Sequence, residues 1–155
     1  MLGNAYNLNS DAVAFTAAGA MVTLSAPSTA ALIIDRIEVT QENIVASEQN
    51  AILCSRASDS GTGGGAKTPA ALMVGSPAAE STGKDGSTVW SVQPTLTTLL
   101  WRKAFNLLTG MLWHPTPAEH IIISPSGILC LRLENAPAGS TTFSVDIVFR
   151  EVGAA

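Results

Sequence analysis

The chain has 155 residues, the size of one ordinary domain, with hydrophobic residues at 46% but charged residues at only 13%, against roughly 25% in average soluble domains. Its net charge of −4, with eight Lys and Arg scattered along it, offers nothing to a phosphate backbone and excludes nucleic acid as a partner. No apolar run approaches the roughly 18 residues that span a bilayer, and residues 1–6 lack the basic start and apolar core of a secretory leader, so the expectation is a protein made in a cytoplasm, without a membrane partner, whose charge-poor surface is covered by other molecules.

Residues 1–10, rich in Asn and small polar side chains, read as an arm that is ordered only when something holds it, and residues 11–155 as a single domain. Residues 13–15 and 21–24 flank Ala18 and Gly19 as two short strands around a turn. Residues 30–40 begin as a continuous apolar run and resolve into alternation at Asp35, Ile37 and Val39, as a strand does on leaving the core for its margin. Residues 41–50 are polar without a period and read as a loop, and residues 51–56 resume as a strand. From 57 to 87 the composition shifts to Gly, Ser, Thr, Pro and Ala, which predicts a long surface excursion. A loop of that length is functional, mobile or ordered by a neighbour.

Residues 88–92, 97–105 and 119–124 supply three more strand candidates. The clearest signal comes last: Leu129, Leu131 and Leu133, then Phe143, Val145, Ile147 and Phe149, fall on every second position, each series marking a strand with one buried face. The loop 135–139, with Pro137 and Gly139, predicts that these two strands form a hairpin. Eight or nine short strands with no helical period and no internal repeat give an all-β fold, an antiparallel two-sheet β-sandwich of the jelly-roll kind.

Motifs for chemistry are scarce, and the expectation is no catalytic residue, no metal and no cofactor. His114 and His120 lie close in sequence with Glu119, yet the prolines between them hold the backbone extended and keep the imidazoles apart, with no Cys or Asp nearby to complete a metal set. The run Gly61-Thr-Gly-Gly-Gly-Ala-Lys67-Thr lacks the Gly-Lys-Ser/Thr ending of a phosphate loop, and Pro69 forbids the helix that should follow. Asp35 and Glu38 would project to opposite faces of one strand rather than act as a pair. No Gly-x-Ser-x-Gly elbow occurs. Cys54 and Cys130, each inside a predicted strand, read as buried thiols rather than a disulfide or metal pair. Trp90 and Trp101 read as core, while Trp113, amid loop prolines, fits core or surface equally. A large ring beside a cation is a common interface anchor, which makes Trp101, Arg102 and Trp113 interface candidates, together with Lys67 in the glycine-rich excursion and Asn4 and Tyr6 in the arm.

The strings Trp101-Arg-Lys-Ala-Phe-Asn106 and Trp113-His-Pro-Thr-Pro-Ala-Glu-His-Ile-Ile-Ile-Ser-Pro-Ser-Gly127, then Leu129-Cys-Leu-Arg-Leu133, Ala136-Pro137 and Phe149-Arg-Glu-Val-Gly153, resemble small proteins encoded among the virion genes of tailed bacteriophages. Arg56 with the loop to Thr68-Pro69, and Ser76-Pro-Ala78, share the likeness, which spans about residues 30–153. The resemblance implies a β-sandwich structural protein of the particle, a head decoration or cement protein, and supplies no catalytic residues; the expectation built on it is a protein that meets the major capsid protein and self-associates into dimers or trimers. The arm and the excursion would then be the docking elements. The same fold could serve as a tail, fibre or head-spike module binding host glycans, with Trp113 stacked on sugar rings. A cupin-like enzyme would need more converging histidines than the two the chain has.

Overall fold

The computed structural model describes residues 4–43 and 47–153. Its strands are β1 (Asn4–Phe15), β2 (Gly19–Ser25), β3 (Ala30–Gln41), β4 (Gln49–Ala57), β5 (Thr62–Lys67), β6 (Ala70–Ala71), β7 (Thr82–Val92), β8 (Leu96–Asn106), β9 (Met111–Trp113), β10 (Ile121–Ile123), β11 (Ile128–Leu133) and β12 (Thr141–Gly153). All pairings are antiparallel, in two sheets ordered β10-β3-β12-β1-β6, with β9 also on β3, and β5-β7-β2-β11-β4-β8. The fold is the expected β-sandwich, with twelve strands because β5, β6 and β9 join those legible in the sequence. The chain changes sheet at most connections, so its two sheets are interleaved in sequence.

One core fills the space between the sheets. Phe143, Val145, Ile147 and Phe149 of β12 face Leu129, Leu131 and Leu133 of β11 across it, with Leu32, Ile34, Ile37 and Val39 of β3 beside β12. The alternation on β11 and β12 is as read, but they do not form a hairpin. β11 pairs with β2 and β4, while β12 pairs with β1 and β3. Two strands whose apolar faces look at each other must lie in different sheets, so the connection arches over the core edge. The same holds for β1 and β2. Alanine at Phe143 or Ile147, both 1% exposed, should cost on the order of 3 kcal/mol of unfolding free energy in urea titrations; a loss under about 1 kcal/mol would place that side chain outside the core.

Three further expectations change. Residues 4–10 are the first half of β1, hydrogen-bonded to β12, with Tyr6 and Leu8 buried in the core, so the arm reading does not hold for them; residues 1–3 lie outside the described part. The excursion 57–87 contains β5, β6 and the start of β7. Its glycines let β5 cross the indole of Trp90, whose Nε1–H donates to the Ser60 carbonyl at 3.0 Å. A Cβ at Gly64, where φ is +80°, would lie 2.9 Å from that ring, so this run is a strand that only glycine can supply. Finally, a bulge at Asp35 lets Ile34 and Ile37 both point inward, which turns Asp35 and Glu38 to the same outer face rather than to opposite ones.

Candidate functional site

β8 ends its sheet. On the other sheet the corresponding margin is made of short pieces, β9 and β10, set end to end along β3. Between them the chain makes a single 3-10 turn, Pro117–Glu119, where Pro117 supplies the fixed φ of a first position. The Thr116 hydroxyl donates to Glu119 Oε2 at 2.8 Å, and the Glu119 N–H donates to the Thr116 carbonyl at 2.9 Å. These short elements leave the sandwich open along this flank, and a cleft of about 570 Å³ runs between β8 and the β9–β10 segment.

Trp101 of β8 and Trp113 of β9, both half-buried, stack with ring centroids 5.8 Å apart and so close the core beneath the cleft. Lys103 Nζ lies 5.9 Å from the centre of the Trp101 ring, within reach of a cation–π contact. Arg56, Lys103, His114 and His120 line the cleft with one carboxylate, Glu119. The Thr116 hydrogen bonds, with a smaller part from Lys103, hold the Glu119 carboxyl below its ordinary range, so it stays ionised. His120 Nδ1 lies 3.7 Å from Asp35 Oδ1, and Asp35 accepts two hydrogen bonds from Arg150, at 2.7 and 2.8 Å. The rim adds Leu112 and Ile122, both more than half exposed.

His114, Glu119 and His120 all line the one cleft, and the β3 bulge brings Asp35 to His120. Among the described residues, no group of three or more His, Cys, Asp or Glu side chains is placed to hold a metal ion. The arrangement is suited to binding, through aromatic, apolar and cationic groups.

Of the interface candidates, the structure brings Trp101 and Trp113 together at the cleft, and Asn4 and Tyr6 together elsewhere, at the start of β1. Arg102 projects away from the core and makes a two-nitrogen contact with Glu134, Nε donating at 2.9 Å and Nη2 at 2.5 Å. Lys67 pairs with the buried Asp85 at 3.3 Å. Tyr6 is in the core, ring against Phe149 and hydroxyl donating to the Pro77 carbonyl at 3.2 Å, so it is no surface anchor. Asn4 is exposed at the start of β1, beside a shallow depression floored by Pro77 and Glu151. Of the two cations beside Trp101, sequence reading took Arg102 rather than Lys103 as the interface candidate, although alternation from Trp101 puts Lys103 on the same side of β8, and it gave Arg56 no place in an interface.

A second apolar surface lies on the opposite flank. Just past β6, which extends its sheet beyond β1, the tip formed by Leu72, Met73 and Val74 is 56%, 70% and 103% exposed. Three consecutive uncovered apolar residues are unusual outside a contact surface. The cysteines offer no chemistry. Cys54 faces the main core and Cys130 the opposite side of its sheet, both are free, and burial pushes the Cys130 thiol up to about 12 and that of Cys54 higher still. No protein-family model, no curated protein and no solved structure matches the chain.

Proposed function

We propose that this chain is a non-enzymatic structural protein of a phage particle, a decoration or cement protein that binds the outside of the head, meets the major capsid protein and bridges neighbouring subunits. The observation that carries the reading is the pair of uncovered apolar surfaces on opposite flanks of one body, the Leu72–Val74 tip beyond β1 and β6 and the rim of the β8–β10 cleft. A protein that strengthens a shell needs a rigid body with two separated contact surfaces, because engaging one subunit raises the effective concentration for the next. Repetition over a symmetric shell, with the protein itself as a dimer or trimer, turns modest contacts into a stable lattice. The low charge content fits a surface that ends up covered.

The test is binding of the purified protein to undecorated phage heads, followed by electron cryomicroscopy. Stoichiometric density at capsomer junctions is the expected result; absence from the shell would refute the reading. The cleft also favours a second reading, since stacked tryptophans beside His and Glu side chains are the kind of surface a sugar ring lies on. In that case the protein is a tail, fibre or spike module, and the isolated chain binds host glycans in a manner lost on Trp113→Ala.

A further inference from the structure

β8 is an open edge. It runs for eleven residues and, among the described residues, pairs with β4 alone. In an antiparallel ladder alternate residues direct their N–H and C=O groups to either side, so about half of those on β8 point away from β4. A register shift sits between Trp101 and Leu99, and from Trp101 to Asn106 the pairing with β4 is unbroken. That stretch is a regular template for one more strand.

The charges beside it are only partly compensated. Among the described residues, Lys67, Arg102 and Arg150 form ion pairs with carboxylates. Arg56 and Lys103 form none, and both line the cleft: Lys103 lies within the open stretch, while Arg56 is on β4 opposite Thr98, its Nη2 3.5 Å from the Ile122 carbonyl. Two cations without an ion-pair partner thus share one lining with a single carboxylate, Glu119, which accepts from Thr116 and keeps its charge beside Lys103, so the cationic groups outnumber the anionic one in a chain of net charge −4. Lysine on an edge discourages indiscriminate strand pairing; here it also selects for the opposite charge.

We infer that the β8 edge and the adjoining cleft take an extended acidic segment of a partner polypeptide, which adds to the sheet as a further strand beside β8. Side chains on one face of that strand enter the cleft, where carboxylates meet Lys103 and Arg56, and apolar side chains rest on Leu112 and Ile122. A second copy of this chain is the poorer occupant. It would bring another Lys103 and Arg56 to the seam, and the carboxylate nearest Arg102, Glu134, is already bound by that guanidinium. The inference deepens the head-binding reading by giving the partner's segment its chemistry, and rests on that reading for where the segment comes from.

The experiment is selection from a random peptide library against the full-length protein, followed by hydrogen exchange of the protein with the best peptide. The expected result is enrichment of Asp, Glu and apolar residues together at every second position, the face that enters the cleft, affinity about tenfold weaker in Lys103→Glu and in Arg56→Glu, and slowed exchange at outward-facing amides between Trp101 and Asn106. Lys103→Gln should give an intermediate loss, and each variant should melt with the parent, since both side chains are at the surface. No enrichment, enrichment without acidic residues, or binding that leaves the β8 amides unprotected would overturn the inference. Protection of β8 in the absence of peptide, rising with protein concentration, would overturn it in favour of self-pairing. Head binding unaltered by Lys103→Glu would reject this site and leave the cement reading standing, whereas acidic-peptide binding without head binding would do the reverse.

Discussion

Removal of residues 4–10 should abolish the cooperative fold rather than trim a free arm. The segment fills the place beside β12, and its Tyr6 and Leu8 side chains are each 1% exposed in the core. Losing two large buried side chains costs roughly 3 to 5 kcal/mol apiece, before the backbone groups of β12 that lose their partners are counted. The sum reaches a large part of the roughly 5 to 15 kcal/mol that holds an ordinary domain together. Ser10 adds a further tie, since its hydroxyl donates to Asp85 at 2.9 Å and joins β1 to β7 in the opposite sheet. Far-ultraviolet circular dichroism during heating measures the outcome. The shortened chain should show no cooperative transition, and a melt equal to that of the full chain would mean that β1 begins, in energetic terms, at Val13. Tyr6→Ala provides a milder probe, with an expected loss of about 4 kcal/mol.

The faces of strands were legible in this sequence, and their partners were not. Alternation at Leu129 to Leu133 and at Phe143 to Phe149 reports which side of each strand is buried, and burial agrees with it at every one of those positions. It carries nothing about which strand lies alongside, so a short Pro- and Gly-containing connection reads as a hairpin when it is an arch between sheets. The period also breaks silently at bulges. Between Ile34 and Ile37 two residues intervene where one is expected, which reverses the relation of Asp35 to Glu38. Composition misled where strands were built of residues that usually make loops: Asn, Ser and Ala around Tyr6 and Leu8, and the glycines of β5 that clear Trp90. Tyr6 and Leu8 did carry a period-2 signal, two positions long. The cleft was half visible, as the aromatic and cationic side chains of β8. Its other wall depended on a 3-10 turn that places both histidines along the cleft, a local geometry that two prolines in a row of polar residues do not disclose.

Asp85→Ala should be among the most damaging single substitutions, although nothing near this residue in the sequence marks it. The carboxylate is 0% exposed. Oδ1 accepts from the Ser87 N–H at 3.0 Å and from the Ser87 hydroxyl at 2.5 Å, while Oδ2 accepts from Ser10 and faces Lys67 Nζ at 3.3 Å. Three strands, β1, β5 and β7, are thereby joined through one buried group. A Cβ at Gly65 would come within 2.8 Å of Oδ1, so even the space for the network depends on glycine. Alanine at position 85 removes the charge and leaves the Ser10 and Ser87 hydroxyls and the Lys67 ammonium without their acceptor, a loss on the order of 3 to 5 kcal/mol. Burial alone would raise the Asp85 pKa. The bonds from the Ser87 side chain and backbone, then those from Ser10 and Lys67, outweigh it and hold the carboxyl below its ordinary value of 3.8. The unfolded chain therefore takes up this proton more readily than the folded one, so the contribution is intact above pH 3.8 and fades as the pH falls through the lower folded value. Urea unfolding at neutral pH and at steps below pH 4 tests both statements. Asp85→Asn, which keeps the size and removes the titration, should start from a lower stability and fall less steeply in acid. Equal stability of Asp85→Ala and the parent at neutral pH would show that the three strands are held without this carboxylate, by backbone pairing and apolar packing; an unchanged acid slope in Asp85→Asn would show that other carboxylates set the acid limit.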